Sequence, residues 1–165
     1  MPAADKPLGL ALAVSLALAV PVAAAAAEAE PGFAWMVIPY EGNVSLVYGS
    51  TESGEDYSFF LSCDNQENEA EMTVYQDIAG AKVGEPLTIA LSAGLAEVAL
   101  EGETATDEMS GFVFGVAKKI AVKPVIAVLE NAGPAIAKMG KVTVTLPEPG
   151  RAEAVSEFAK ACKLD

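Results

Sequence analysis

The densest set of potential metal ligands in the chain is the run Asp64-Asn65-Gln66-Glu67-Asn68-Glu69-Ala70-Glu71. Asp64, Asn65, Glu67, Glu69 and Glu71 offer the hard oxygen donors that calcium prefers. Counted from Asp64, the run departs from the EF-hand loop. Gln66 stands where Asp or Asn is needed, and Glu69 stands where a glycine makes the sharp turn. The other reading needs no ligand: a solvated hairpin loop whose charges oppose aggregation at a sheet edge. A second acidic segment, Glu101 to Glu108, would favour calcium if it met the first across one end of the fold.

Carboxylates also work in pairs on either side of a glycosidic bond. Glu41, Asp56, Asp77 and Asp107 fall in or beside turn-forming segments, but nothing in their spacing brings two of them together. The chain has no histidine. That removes the usual general base, the commonest transition-metal ligand and the Ser-His and Cys-His nucleophile systems. There is no G-x-S-x-G and no S-x-x-K. Gly133 to Lys141 imitates a phosphate loop, yet six residues separate its glycines where four are needed, and Val142 replaces the Ser or Thr. No cofactor is called for.

Two cysteines occur, Cys63 and Cys162. Neither belongs to a C-x-x-C pair and no histidine exists to activate a thiolate, so a redox or catalytic thiol lacks its usual partners. In an exported chain the pair reads as a disulfide. The first residues supply that context: Lys6, the apolar run Leu8 to Val20, then Pro21, Val22 and alanines to Ala27. This is the order of a secretory signal peptide. The run of about 13 residues falls short of the roughly 20 needed to span a bilayer. Ala25 and Ala27 satisfy the A-x-A rule, which places cleavage between Ala27 and Glu28. Residues 1–27 are then the signal and residues 28–165 one soluble domain with no membrane anchor, periplasmic or secreted.

The formal net charge is −13. Such a field repels nucleic-acid phosphates and anionic lipids, so no nucleic-acid partner is expected, and it favours a soluble monomer. From residue 34 onward, short apolar or alternating segments are separated by turn-forming clusters, the texture of antiparallel strands. Strands are predicted at Trp35 to Tyr40, Val44 to Tyr48, Tyr57 to Cys63, Glu71 to Gln76, Leu87 to Leu91, Glu97 to Glu101, Phe112 to Ala117 and Lys141 to Leu146. Gly102 to Ser110 reads as a loop. A short helix is predicted over Pro124 to Ala132, with proline in its first turn and Gly133 as its stop. A C-terminal helix over 151–163 carries Val155, Phe158, Ala159 and Cys162 on one face, with acidic residues leading and lysines trailing. Trp35, Tyr40, Tyr48, Tyr57 and Phe112 read as core rather than as a groove lining. The fold class is all-β, or β-rich α+β: an antiparallel sandwich or partly open barrel, with the C-terminal helix fastened to Cys63.

The layout of Trp35, Phe59-Phe60-Leu61-Ser62-Cys63 and a terminal Phe158-Ala159-Lys160-Ala161-Cys162 resembles small uncharacterised exported proteins of alphaproteobacteria. The resemblance implies a periplasmic, disulfide-closed β domain and carries no activity or site residue. The function most consistent with these features is a non-enzymatic exported module that binds a protein, a peptide or an envelope component, by strand addition or acidic complementarity. Calcium or small-molecule binding through the acidic loops is the alternative, and a carboxylate-based hydrolase the third reading.

Overall fold

A computed structural model describes residues 29–54, 56–64 and 69–164. The expected signal peptide, its Ala27–Glu28 junction, and the candidate calcium ligands Asn65 and Glu67 lie outside the described residues. So do the side chains of Asp64 and Glu69.

The chain forms one nine-stranded antiparallel sheet curled into a half-barrel. The strands are β1 (Phe33–Tyr40), β2 (Asn43–Ser50), β3 (Tyr57–Asp64), β4 (Glu69–Val74), β5 (Pro86–Ala93), β6 (Ala96–Thr106), β7 (Val113–Ala121), β8 (Ala135–Met139) and β9 (Val142–Leu146). Their order across the sheet is β1-β2-β3-β4-β7-β6-β5-β8-β9, which makes β1 and β9 the two edges. Of the two all-β forms expected, the open barrel is found and the two-sheet sandwich is not. Period-two alternation is identical in both, so only the pairing of β4 with β7 distinguishes them.

Two helices, α1 (Val122–Leu129) and α2 (Arg151–Ala161), pack on the same face of the sheet. Trp35, Leu46, Phe59, Leu61, Met72, Ile89, Leu91, Ala137 and Leu146 point toward them and form the core with Val125, Val128, Val155 and Phe158. Val155 and Phe158 are fully buried, and each contributes about 1.5–3 kcal/mol relative to an exposed side chain. The Trp35 indole donates from Nε1 to the carbonyl of Pro147 at 2.9 Å, joining β1 to the segment that enters α2.

The C-terminal helix ends at Ala161 rather than 163. Lys163 adopts a left-handed φ of 53°, its N–H bonds to the Lys160 carbonyl, and the Leu164 N–H reaches back to Ala159. This is a Schellman stop built without glycine. At that stop Cys162 is joined to Cys63 of β3, with a Cα–Cα distance of 6.1 Å across 99 residues of chain. Both cysteines are buried, so the bond lies inside the core and ties α2 to the sheet. A disulfide in this position fits an oxidising, non-cytoplasmic compartment. Among the described residues no helix is long and apolar enough to cross a membrane.

Other sequence expectations also need correction, β7 among them, which runs to Ala121 rather than Ala117. The first helix spans Val122–Leu129, not Pro124 to Ala132, because Val122 is buried and draws the start two residues back. β4 ends at Val74, two residues before Gln76. Residues 102–106, read as the start of a loop, continue β6 to Thr106: Glu101 and Glu103 face solvent while Thr104 is buried. Gly102 belongs there because a side chain would collide with the Val116 carbonyl of β7. Finally, β8 was not expected. Its inward residues Ala135 and Ala137 are too small to show as strand periodicity and rank low in β-propensity.

Candidate binding site

The β1–β2 hairpin turns at Glu41 and Gly42, with φ of 45° and 90°. Positive φ at both positions is the requirement of a type I′ turn. The turn closes on the pair Tyr40↔Asn43. Hydrogen bonding alternates along an antiparallel ladder, so Ile38 and Met36 bond to β2 while Phe33, Trp35, Val37 and Pro39 turn their backbone polar groups outward. Pro39, which has no N–H, sits in one of the outward places, as an edge strand allows. The Phe33 N–H is used by the Glu30 carbonyl at 2.9 Å. Among the described residues, no turn or loop hydrogen bond occupies the backbone of Trp35 or Val37.

Edge strands are normally blunted by charge, shortness or bulges. β9 follows that pattern: it is five residues long and lies between Lys141 and Pro147. β1 does not. It runs for eight residues, Phe-Ala-Trp-Met-Val-Ile-Pro-Tyr, without a charge and without a register shift against β2.

Beside this edge, on the sheet face turned away from the helices, lies a groove of about 600 Å³. Its floor is a cross-strand row set by the register: Ile38 of β1, Ser45 of β2, Ser62 of β3 and Glu71 of β4. The row ends at β7 in an irregularity. Ala70 pairs with Ile120 and Met72 with Ala117, which leaves Glu71 opposite both Lys118 and Lys119. Two residues facing one is a β-bulge, and bulges re-aim side chains. Strict alternation would send Lys118 and Lys119 to opposite faces. With the bulge, and with Lys119 at a φ of 53°, both line the groove. Tyr40, Tyr57 and Phe60 form its walls.

Lys118 reaches Glu103 of β6 at 3.0 Å. That hydrogen bond and charge hold its ammonium above the ordinary lysine range. The pair is half exposed at both ends and adds little to stability. The Tyr75 phenol, which stacks on Phe114 at 4.7 Å, is raised above its usual value by burial, then by the nearby charge of Glu71 and Asp107.

The residues singled out from sequence separate into those the fold unites and those it divides. Of the five candidate calcium ligands, Glu71 is the one whose side chain is described, and it faces two lysines in the groove. Among the described residues no three carboxylates or thiols gather as a metal would require. Among the described residues, Glu71 of the first acidic segment and Glu103 of the second flank Lys118, with a cation between them, while the far ends of the segments lie apart. Glu69 pairs with Ala121 at one end of β7 and Thr106 with Val113 at the other, about 26 Å apart along the strand. Asp56 and Asp107 do share a cleft of about 330 Å³ with Tyr57 and Tyr75. Both are exposed and committed to their own turns: Asp107 Oδ1 accepts from the Met109 and Ser110 N–H groups, and Asp56 Oδ2 from the Ser53 hydroxyl. Asp77 Oδ1 accepts from the Val113 N–H at 3.3 Å, and Glu41 sits in the hairpin turn. Of the five aromatics assigned to the core, Trp35 and Tyr48 are there, but Tyr40 and Phe112 are exposed and Tyr57 walls the groove.

The sequence alone assigns Ser45 and Ser62 no binding role. The available signal was a hydroxyl in mid-strand with apolar residues on both sides, as in Val44-Ser45-Leu46 and Leu61-Ser62-Cys63. Comparison with known protein families, curated proteins and solved structures finds no match for this chain.

Proposed function

We propose that this protein is a non-enzymatic periplasmic or secreted module that captures an extended segment of a partner protein by strand addition to β1. The observation that carries the reading is the eight-residue, uncharged edge with outward backbone groups at Trp35 and Val37. In this mode main-chain hydrogen bonds supply affinity and side-chain contacts on alternate positions supply selectivity. Ala34, Met36, Ile38 and Tyr40 are the alternate positions offered on the groove side. The net charge of −13 steers toward β1 segments that are neutral or basic.

Photo-crosslinking in the native host tests this directly. A photoreactive residue replacing Met36 is expected to capture a protein adduct, whereas one replacing Leu95, fully exposed in the β5–β6 turn, is not. The adduct should disappear in a Val37→Pro background. That change removes an outward N–H and spares the β1–β2 ladder. Equal capture at both positions, or capture that survives Val37→Pro, would show that β1 is not the contact.

A further inference from the structure

We propose that the groove across β1, β2, β3, β4 and β7 is a binding site for an uncharged oligosaccharide. It is distinct from strand addition at the β1 edge, although Ile38 and Tyr40 border both.

Shape sets the first limit. Five adjacent strands contribute to the lining, so the groove runs roughly 19 Å across the sheet. Its volume of about 600 Å³ lies within the range of small-ligand sites. A linear ligand of a few rings fits this shape better than a compact one.

Hydrogen-bonding capacity sets the second. Ser45 is more than nine-tenths buried at 8 % exposure and lines the groove. Among the described residues its hydroxyl makes no hydrogen bond, and neither do the side chains of Ser62 and Asn43. These polar groups line the groove and are available to a ligand. Serine hydroxyls and the asparagine amide both donate and accept. A ligand that complements them presents donors and acceptors together, as sugar hydroxyls do.

Charge sets the third. Lys118 and Lys119 are balanced by Glu71 in the groove and by Glu103 on Lys118. The site is formally neutral, whereas the whole chain carries −13 and repels anions. Lys119 and Glu71 remain able to make charge-assisted hydrogen bonds to neutral hydroxyls.

The walls complete the match. The Tyr40 ring is 67 % exposed and makes no ring contact among the described residues, while Tyr57 is braced against Phe60 and Tyr75. Exposed aromatic faces above a hydroxyl-lined floor suit the apolar C–H faces of sugar rings with their hydroxyls directed below.

The test is a titration of the isotope-labelled full chain with maltotetraose, cellotetraose and N-acetylated chitotetraose, followed by amide chemical shifts. At least one is expected to move the Ser45, Ser62 and Lys119 signals saturably and leave those of Leu95 and Glu97 in place. Tyr40→Ala, which removes a surface ring and leaves the core intact, should weaken that binding by about tenfold, as should the double change Ser45→Ala with Ser62→Ala. The proposal is overturned if none of the three sugars gives saturable shifts at millimolar concentration. It is equally overturned if Tyr40→Ala leaves the affinity unchanged, or if only acidic oligosaccharides bind.

Discussion

Replacing Cys63 and Cys162 together by alanine is expected to lower the unfolding free energy by about 4 kcal/mol. The bond closes a loop of 99 residues, near the upper end of what chain entropy provides, and both cysteines lie in the core. For a single domain whose net stability is of the order of 5–15 kcal/mol, that is a large fraction. Urea unfolding monitored through Trp35 would measure it, since the indole is buried against Tyr48 and Phe59. The double variant and the wild-type chain kept reduced should show the same midpoint. A loss below about 1 kcal/mol would mean that α2 is held by packing alone and that the disulfide adds little.

Arg151 should rank second. It opens α2, is 1 % exposed, and points its guanidinium at the far end of α1. Its Nε donates to the Leu129 carbonyl at 2.9 Å, and Nη2 donates to Asn131 and Gly133 at 2.5 and 2.6 Å. The last carbonyls of a helix have no intrahelical partner and carry its negative dipole end, so one cation completes the C-terminus of α1. Burial pulls the guanidinium below its ordinary range, and Glu148 opposes the shift. An arginine so placed remains charged at neutral pH.

Arg151→Met fills similar volume but leaves the three carbonyls without their donor. The expected loss is about 3 kcal/mol, the scale of buried acceptors stripped of a charged partner. Arg151→Lys should recover only part of it, because one ammonium cannot reach three carbonyls that a planar fork spans. Thermal or urea unfolding of both variants decides the matter. If the lysine variant equals wild type, the charge alone matters and the geometry does not.

Much of this fold is legible in the residues, because burial writes itself as periodicity. The stripe Val155, Phe158, Cys162 gives α2, and the alternation Phe59, Leu61, Cys63 aims the cysteine into the core, where the structure places it. What escapes is what lacks contrast. β8 packs alanines, so its inner and outer faces look alike in sequence. β6 runs on past Glu101 because Glu101 and Glu103 occupy its solvent face, and two glutamates around a glycine resemble a loop. Arg151 follows Pro149 and Gly150 and reads as a solvated cation, since nothing local reveals that α1 ends beside it.

The candidate site was less legible still. Its floor is assembled from single residues of four strands, and their alignment depends on register, which the turns and the β7 bulge decide. Lys118-Lys119 looks like an ordinary solvated pair until the bulge turns both toward the same groove. The edge position of β1 depends on strand order, which follows from β4 pairing with β7 rather than with its sequence neighbour β5.

Amide-resolved hydrogen exchange along β1 tests the central claim most directly, first on the purified protein and then in the presence of its host's envelope extract. The account predicts an alternating pattern in the purified protein, with Met36 and Ile38 slow and Trp35 and Val37 fast. In the extract, Trp35 and Val37 should become slow as well. Trp35 and Val37 already slow in the purified protein would mean that the edge is closed from within. Unchanged fast exchange in the extract would mean that nothing adds to β1, and either result contradicts the claim.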